Sequence, residues 1–134
     1  MNTNTEPMTE IDLLLVEDDE AHAKLIRRKL ATSKFTINVR CADSLRTMSC
    51  EIEENMPDFL ILDYLLPDGR SIDVLTTLPS LKETPTVLVS SFLSEHMAED
   101  AQFSGFRQVI EKSEAGLDEL LSIISAEFSS GDDD

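Results

Sequence analysis

The stretch Phe59–Gly69, with the sequence FLILDYLLPDG, decides the fold of this chain. Four apolar residues lead directly into one carboxylate, Asp63, and a Pro-Asp-Gly turn follows four residues later. A short apolar run bounded by turn residues is typical of a strand that is buried on both faces of a parallel sheet. We therefore predict that this strand carries a single acid to its C-terminal end.

The composition is that of one soluble globular domain. The chain has 134 residues, of which 41% are hydrophobic, and this is long enough to bury a core. It has no run of about 18 apolar residues, so no membrane contact is expected. The polar start of the chain lacks the apolar segment of a secretory signal, which predicts a cytoplasmic location.

The charge balance is strongly acidic. Asp and Glu number 27 against 11 Lys and Arg, which gives a formal net charge of −16. Such a field repels phosphate backbones, so direct nucleic-acid binding is not expected. Cys41 and Cys50 match no metal-binding spacing, and we expect two reduced thiols in or near the core.

Strand and helix patterns alternate along the rest of the chain. The predicted strands cover residues 11–16, 35–41, 58–63, 86–90 and 106–110, and an amphipathic helix follows each one. The first helix is expected to bury Ala21, Leu25, Ile26 and Leu30, and the third to cover residues 71–78. This pattern predicts an α/β fold, a doubly wound (βα)5 domain with a parallel five-stranded sheet and helices on both faces. The domain would cover residues 10–128, between a disordered arm at 1–9 and an acidic tail at 129–134.

Polar side chains follow four of the predicted strands. They are Glu17 and Asp18 after the first strand, Asp63 at the third, Ser90 at the fourth and Lys112 at the fifth. Parallel strands lie about 4.8 Å apart and bind ligands at their carboxyl ends, so these side chains should converge. The two histidines, His22 and His96, fall on predicted helices and are expected away from this edge.

The predicted edge has the chemistry of a phosphoryl-accepting site. Three close carboxylates repel one another unless a cation neutralises them, and oxygen ligands favour Mg²⁺ over Zn²⁺. An Asp is a competent nucleophile toward phosphorus, and Ser90 and Lys112 can contact a phosphoryl oxygen placed on Asp63. Taken alone, Glu17 and Asp18 are better explained as solvated acids at a strand end. Asp63 alone could be a helix or turn cap, Ser90 a loop hydroxyl and Lys112 a surface charge. The ordered set is what indicates a site.

Four motifs, LLVEDDE, LILDYLLPDG, VLVSS and VIEKS, resemble those of the receiver domains of two-component response regulators. The resemblance covers residues 10–128 and implies a flavodoxin-like strand order of 2-1-3-4-5. It implies phosphorylation of Asp63, with Ser90 as switch hydroxyl and Lys112 as the phosphate-contacting lysine. The implied Mg²⁺ ligands are Asp18, Glu17 (directly or through water), Asp63 and the backbone carbonyl of Leu65. The implied donor is a phosphohistidine on a sensor histidine kinase or a histidine phosphotransfer protein.

The chain departs from the family pattern at several positions. Val109 stands where many receivers carry an aromatic residue that moves with the switch hydroxyl. Ser113 follows the lysine where proline is common, and it supplies a helix N-cap. Leu65 and Phe92 are apolar where polar side chains can position a hydrolytic water, which predicts slow loss of the phosphoryl group.

The predicted function is that of a switch in a phosphorelay. The chain would promote only its own phosphorylation and dephosphorylation, so it is not expected to be an enzyme. No output domain is expected after Phe128, so phosphorylation would change contacts with a downstream protein target. The alternative is a constitutive receiver-like interaction module that is not phosphorylated in use. The basic cluster of the first helix is either a kinase-docking surface or a solvated face; it comprises Lys24, Arg27, Arg28 and Lys29.

Overall fold

The computed structural model describes residues 10–129, so the predicted arm and most of the predicted tail lie outside the described residues. Five strands form one parallel sheet: β1 (Glu10–Val16), β2 (Thr36–Ala42), β3 (Phe59–Asp63), β4 (Thr86–Ser90) and β5 (Gln108–Glu111). Their order is β2-β1-β3-β4-β5, with β2 and β5 at the edges. The predicted doubly wound architecture and its strand order are confirmed.

Five α-helices connect or follow the strands: α1 (Glu20–Leu30), α2 (Leu45–Glu54), α3 (Val74–Thr77), α4 (Glu95–Phe103) and α5 (Glu114–Phe128). Asp19, Ser44, Ser94 and Ser113 cap all but α3 by accepting hydrogen bonds from first-turn amides. Among residues 10–129, no helix is both long enough and apolar enough to cross a membrane.

The core consists of two apolar layers, one on each face of the sheet. Strand β1 feeds both, because its alternate residues point to opposite faces. Leu14 and Val16 join the layer under α2, α3 and α4, whereas Leu13 and Leu15 join the layer under α1 and α5. All five residues of β3 are buried, as the uninterrupted apolar run predicts. This burial holds the carboxyl end of β3 rigidly against its neighbours.

Three local predictions about exposure were wrong. Helix α1 buries Ala23, Ile26 and Leu30, whereas Ala21 is exposed and Leu25 is 45% exposed. The Asp19 cap sets where the helix starts, and from there residues 23, 26 and 30 face the sheet. Cys41 and Cys50 are also exposed. Cys41 lies on an edge strand that is only partly covered, and Cys50 lies on the face of α2 opposite its buried residues.

The prediction of one continuous helix over residues 71–78 was also wrong. A 3₁₀ turn (Ser71–Asp73) precedes a single α-helical turn, α3, and a second 3₁₀ turn (Pro79–Glu83) follows it. Leu65–Leu66 first pairs with Gly69–Arg70 in a short antiparallel ladder. The buried Ser71 hydroxyl donates to the carbonyl of Asp63. This bond holds the start of the 71–78 segment against the end of β3.

Candidate functional site

A cleft of about 310 Å³ opens at the carboxyl edge of the sheet. It is lined by the five predicted site side chains together with residues that follow β1, β3 and β4. The predicted convergence therefore occurs: Glu17 and Asp18 come from the end of β1, Asp63 from β3, Ser90 from β4 and Lys112 from the end of β5. Leu65 and Phe92 lie at the rim, 61% and 71% exposed.

Three carboxylates share the floor of this cleft. Oxygen atoms of Glu17, Asp18 and Asp63 all lie within 4.8 Å of one another. Glu17 and Asp63 are buried and Asp18 is exposed, so a cation can enter from the Asp18 side. Oxygen-only donors at this spacing suit a hard divalent ion such as Mg²⁺. The chemistry of the donor set fits the predicted metal.

Lys112 neutralises part of this negative charge. Its Nζ lies 2.7 Å from Glu17 Oε1 and 3.3 Å from Asp63 Oδ2, and its side chain is only 5% exposed. The contact with Glu17 is an ion pair without hydrogen-bond alignment, and Oε1 has no aligned donor among the described residues. A buried carboxylate oxygen in this state is available to a metal ion.

The pKa of Glu17 reflects this crowding. Burial raises the pKa of its carboxyl group to about 7, because the charged form loses its hydration. The Lys112 ammonium opposes the rise and the nearby Asp63 carboxylate adds to it. Without a metal, Glu17 therefore takes up a proton near neutral pH.

The turn from β5 to α5 places Lys112 in the cleft. The Lys112 amide donates to the carbonyl of Ser90 at 2.8 Å, which ties the turn to β4. Ser113 caps α5 by accepting from the Gly116 amide at 3.1 Å, as predicted. A Cβ on Gly116 would lie 1.9 Å from the Glu111 carbonyl oxygen, so only glycine fits this approach without a backbone shift.

Ser90 is buried, and its hydroxyl group donates to a backbone carbonyl and not to Asp63. Its Oγ donates to the carbonyl oxygen of Phe92 at 2.6 Å, within the loop after β4. The hydroxyl must leave this bond before it can donate to a group on Asp63. Val109 is 5% exposed and packs in the core layer on the α4 side, where it contributes no aromatic side chain.

The prediction for His22 was wrong. The structure places this side chain at the cleft, with Nδ1 3.1 Å from Lys112 Nζ and 4.0 Å from Glu17 Oε2. One feature of the sequence could have predicted this position. His22 lies in the first turn of a helix that starts just beyond the end of β1, and such a turn lies over the carboxyl edge of the sheet. His96, by contrast, is 85% exposed on α4 and does not line the cleft, as predicted.

Two members of the basic cluster on α1 already have partners within the domain. Lys29 Nζ pairs with Asp118 at 2.6 Å and Glu114 at 3.2 Å on α5. Arg27 Nη1 lies 3.3 Å from Cys41 Sγ. Lys24 and Arg28 are exposed, so a docking role rests on these two cations and stays a prediction.

Sequence comparisons agree on one family. The model of the family described as response regulator receiver domain matches residues 13–125. The methanogenesis regulatory protein FilR1 of Methanothrix harundinacea is 34% identical over 116 residues, which cover 84% of this chain and 26% of that protein. The chain thus spans about a quarter of this relative. The two-component response regulator ORR3 of Oryza sativa subsp. indica is 30% identical over 94 residues, which cover 68% of this chain and 71% of that protein.

Solved structures show the same fold. The phosphorylated cyanobacterial phytochrome response regulator RcpA aligns with a TM-score of 0.71 and 26% identity, over 90% of this chain and 95% of that one. The Mn²⁺-bound form of the response regulator Rcp1 aligns with a TM-score of 0.75 at 20% identity, over 91% and 97% of the two chains. The fold, the converging strand ends and the sequence match lead to one conclusion: the chain belongs to the response regulator receiver domain family.

Proposed function

We propose that this receiver domain accepts a phosphoryl group on Asp63, in a Mg²⁺-dependent reaction, from a phosphohistidine on a sensor histidine kinase or a histidine phosphotransfer protein. One observation carries the proposal. Asp63 is a buried carboxylate that faces a cleft, with Lys112 Nζ at 3.3 Å and two further acids whose oxygens lie within 4.8 Å. This arrangement is suited to bringing a phosphoryl group and a cation to one acid.

Asp63 is the acid best placed to act as nucleophile. Its side chain is 12% exposed, whereas that of Glu17 is 0% exposed and cannot meet a donor. An Asp63 carboxylate oxygen forms a bond to phosphorus while the bond from phosphorus to the donor imidazole nitrogen breaks, and the imidazole leaves with that electron pair. Lys112 stabilises the negative charge that gathers on the phosphoryl oxygens.

The acids and the Leu65 carbonyl would hold the metal. Mg²⁺ bound by Glu17, Asp18, Asp63 and that carbonyl supplies divalent charge to offset the carboxylates and the phosphoryl oxygens. Glu17 must be deprotonated for this, and its raised pKa makes metal binding release a proton.

Phosphorylation would act on the loop after β4. A phosphoryl oxygen on Asp63 offers the Ser90 hydroxyl a charged acceptor, which is stronger than the neutral Phe92 carbonyl it now contacts. Release of that bond would move Phe92 and shift an existing equilibrium of the segment. The α4–β5–α5 face, which follows this loop, would be the surface read by a downstream protein target. Because Val109 is small and buried, the loop itself would carry the change.

Phosphoryl uptake by the isolated chain tests the proposal. The protein is incubated with MgCl₂ and acetyl phosphate, and the intact mass is measured. We expect one added phosphoryl group, lost in Asp63→Asn and in EDTA but retained in Asp73→Asn, which changes an exposed acid outside the cleft. No adduct in the wild type would favour the constitutive interaction module. An adduct that persists in Asp63→Asn would place the acceptor elsewhere.

A further inference from the structure

Three acceptor atoms lie close to the Lys112 ammonium, and among the described residues only His22 Nδ1 has hydrogen-bond alignment with it. Glu17 Oε1 lies at 2.7 Å, His22 Nδ1 at 3.1 Å and Asp63 Oδ2 at 3.3 Å. Two of these acceptors are carboxylates that the proposed function assigns to the metal or to phosphorus. His22 is the third, and the proposed function gives it no role.

The contact between Nδ1 and Nζ is a hydrogen bond in one tautomer of His22. An ammonium group only donates, so Nδ1 accepts from it when the imidazole is neutral and carries its proton on Nε2. Carboxylate oxygens of Asp19 and Glu17 lie farther from Nδ1, at 3.8 and 4.0 Å. The backbone of His22 is fixed in the first turn of α1, because its amide donates to the N-cap side chain of Asp19 at 3.1 Å. Among residues 10–129, His22 is thus the one uncharged acceptor beside Lys112, and it comes from a helix that supplies neither the proposed metal ligands nor the proposed phosphoacceptor.

We propose that His22 is a positioning residue that orients Lys112 toward the phosphoryl group on Asp63. The inference rests on the proposed function. The proposed function assigns Glu17 to the metal and Asp63 to phosphorus, so Lys112 would lose negative charge at both carboxylates. His22 Nδ1 remains, and it keeps the ammonium fixed while the other two N–H groups turn to the phosphoryl oxygens. Loss of this acceptor would leave a flexible four-carbon stem with no fixed partner.

Two substitutions separate this role from simple packing. In His22→Asn the amide oxygen can occupy the place of Nδ1, since both atoms are attached to Cγ. His22→Leu keeps similar bulk but removes the acceptor. His96→Leu is the matched control, because His96 is an exposed helical histidine outside the cleft. The rate of phosphoryl uptake from acetyl phosphate is measured at saturating Mg²⁺ and at one pH.

We expect His22→Leu to slow phosphoryl uptake about tenfold, as for the loss of one hydrogen bond to a charged group. His22→Asn should stay within about threefold of the wild type, and His96→Leu should not differ from it. Equal rates for His22→Leu and the wild type would overturn the inference and leave the proposed function intact. Equal slowing in the Leu and Asn variants would also overturn it, because packing alone would then explain the loss.

A second measurement tests the contact without any phosphorylation. Urea unfolding in EDTA is compared for the wild type, His22→Leu, Lys112→Met and the double variant. If Nδ1 accepts from Nζ, the effects of the two changes on the free energy of unfolding are not additive. Additive effects would overturn the inference even if the domain takes up phosphate normally. A wild type that takes up no phosphate, with coupling present, would instead count against the proposed function.

Discussion

Charged residues gather at both ends of the same sheet, but the two clusters are built differently. Near the amino end, Asp12 accepts from Arg40 Nε at 3.1 Å and from Asn55 Nδ2 at 2.7 Å, and Arg40 also pairs with Glu51 at 2.9 Å. Each charge there has an opposite charge or a donor beside it. At the carboxyl end, three acids share one lysine, and a buried oxygen of Glu17 lacks an aligned donor.

The difference separates a structural cluster from a functional one. The amino-end network joins β1, β2 and the C-terminal end of α2, and it is complete without any ligand. The carboxyl-end cluster has three acids and one lysine, and the pKa of Glu17 is raised mainly by burial, with a further contribution from Asp63. Buried polar groups left under-satisfied in this way are favoured where a ligand completes them.

Lys112→Met should impair phosphoryl uptake and destabilise the cluster at the carboxyl end of the sheet. It removes the ammonium between Glu17 and Asp63, so we expect phosphoryl uptake to fall by about a hundredfold or more. Urea unfolding in EDTA should show that the variant is less stable than the wild type. In excess Mg²⁺ the stability should be restored, because the ion replaces the missing positive charge. An uptake rate within a few-fold of the wild type would contradict the site described here.

Arg40→Met should destabilise the cluster at the amino end of the sheet without affecting phosphoryl uptake. The change removes charge-assisted bonds to Asp12 and Glu51, so we expect a loss of about 2 kcal/mol in the free energy of unfolding. Urea titration measures this loss, and Mg²⁺ should not restore it. Phosphoryl uptake should be unchanged below the unfolding transition. Restoration by Mg²⁺ would show that the two clusters are not independent.

The pKa of Glu17 predicts two opposite pH dependences. Folding raises this pKa from 4.5 to about 7, so the folded protein binds the proton more tightly than the unfolded chain. The contribution of Glu17 to stability in EDTA is therefore fully present below about 4.5 and is lost as pH rises through about 7. Mg²⁺ needs the carboxylate, so its affinity should fall about tenfold per pH unit below that value.

Glu17→Gln is the control for both pH profiles, since the amide does not titrate. The pH-dependent difference in urea midpoint between this variant and the wild type isolates Glu17 from the other acids. Calorimetric titration with Mg²⁺ between pH 6 and 8 measures the affinity. A wild-type affinity that does not change over this range would contradict the raised pKa.

Leu65→Asn addresses the rim of the cleft and should have the smallest effect. Leu65 lines the cleft and is 61% exposed, so a polar side chain there can position water near a phosphoryl group on Asp63. We expect the phosphorylated form to decay about threefold faster, as for the gain of one weak hydrogen bond. The decay is followed by mass spectrometry, with Leu25→Asn, an exposed change on α1, as control. An unchanged lifetime would show that the apolar rim does not limit hydrolysis.

The strand ends were the most predictable part of the site. The run FLILD is buried throughout, and burial of one acid at its end follows from a parallel sheet covered on both faces. The placement of Glu17 beside Asp63 follows from the same geometry, because β1 is adjacent to β3. Lys112 follows β5 at the same edge, and its long side chain reaches Asp63 past the end of β4. Ser113 was predictable as a cap because capping depends on the few residues next to it.

Contacts between distant segments were not predictable in this way. Asp68 accepts from the amides of Leu45 and Arg46, which ties the loop after β3 to the start of α2 across more than twenty residues of sequence. No local pattern encodes that pairing. The exposure of Cys41 likewise depends on β2 being an edge strand, and the form of residues 71–78 depends on the bond from Ser71 to Asp63.

Three features can be predicted from the amino-acid sequence alone: the alternation of strands and helices, the parallel sheet and the five side chains that meet at its carboxyl edge. The alternation of strands and helices follows from hydrophobic periodicity, which is a local property of a few residues. The meeting of the five side chains follows from the common direction of the parallel strands, which puts all their carboxyl ends at one edge. Tertiary packing places His22 beside Lys112, turns the Ser90 hydroxyl toward Phe92 and leaves Glu17 Oε1 without an aligned donor among the described residues. Such contacts are made or lost when side chains of different elements shift by a few tenths of an ångström, and packing of the whole domain sets their positions.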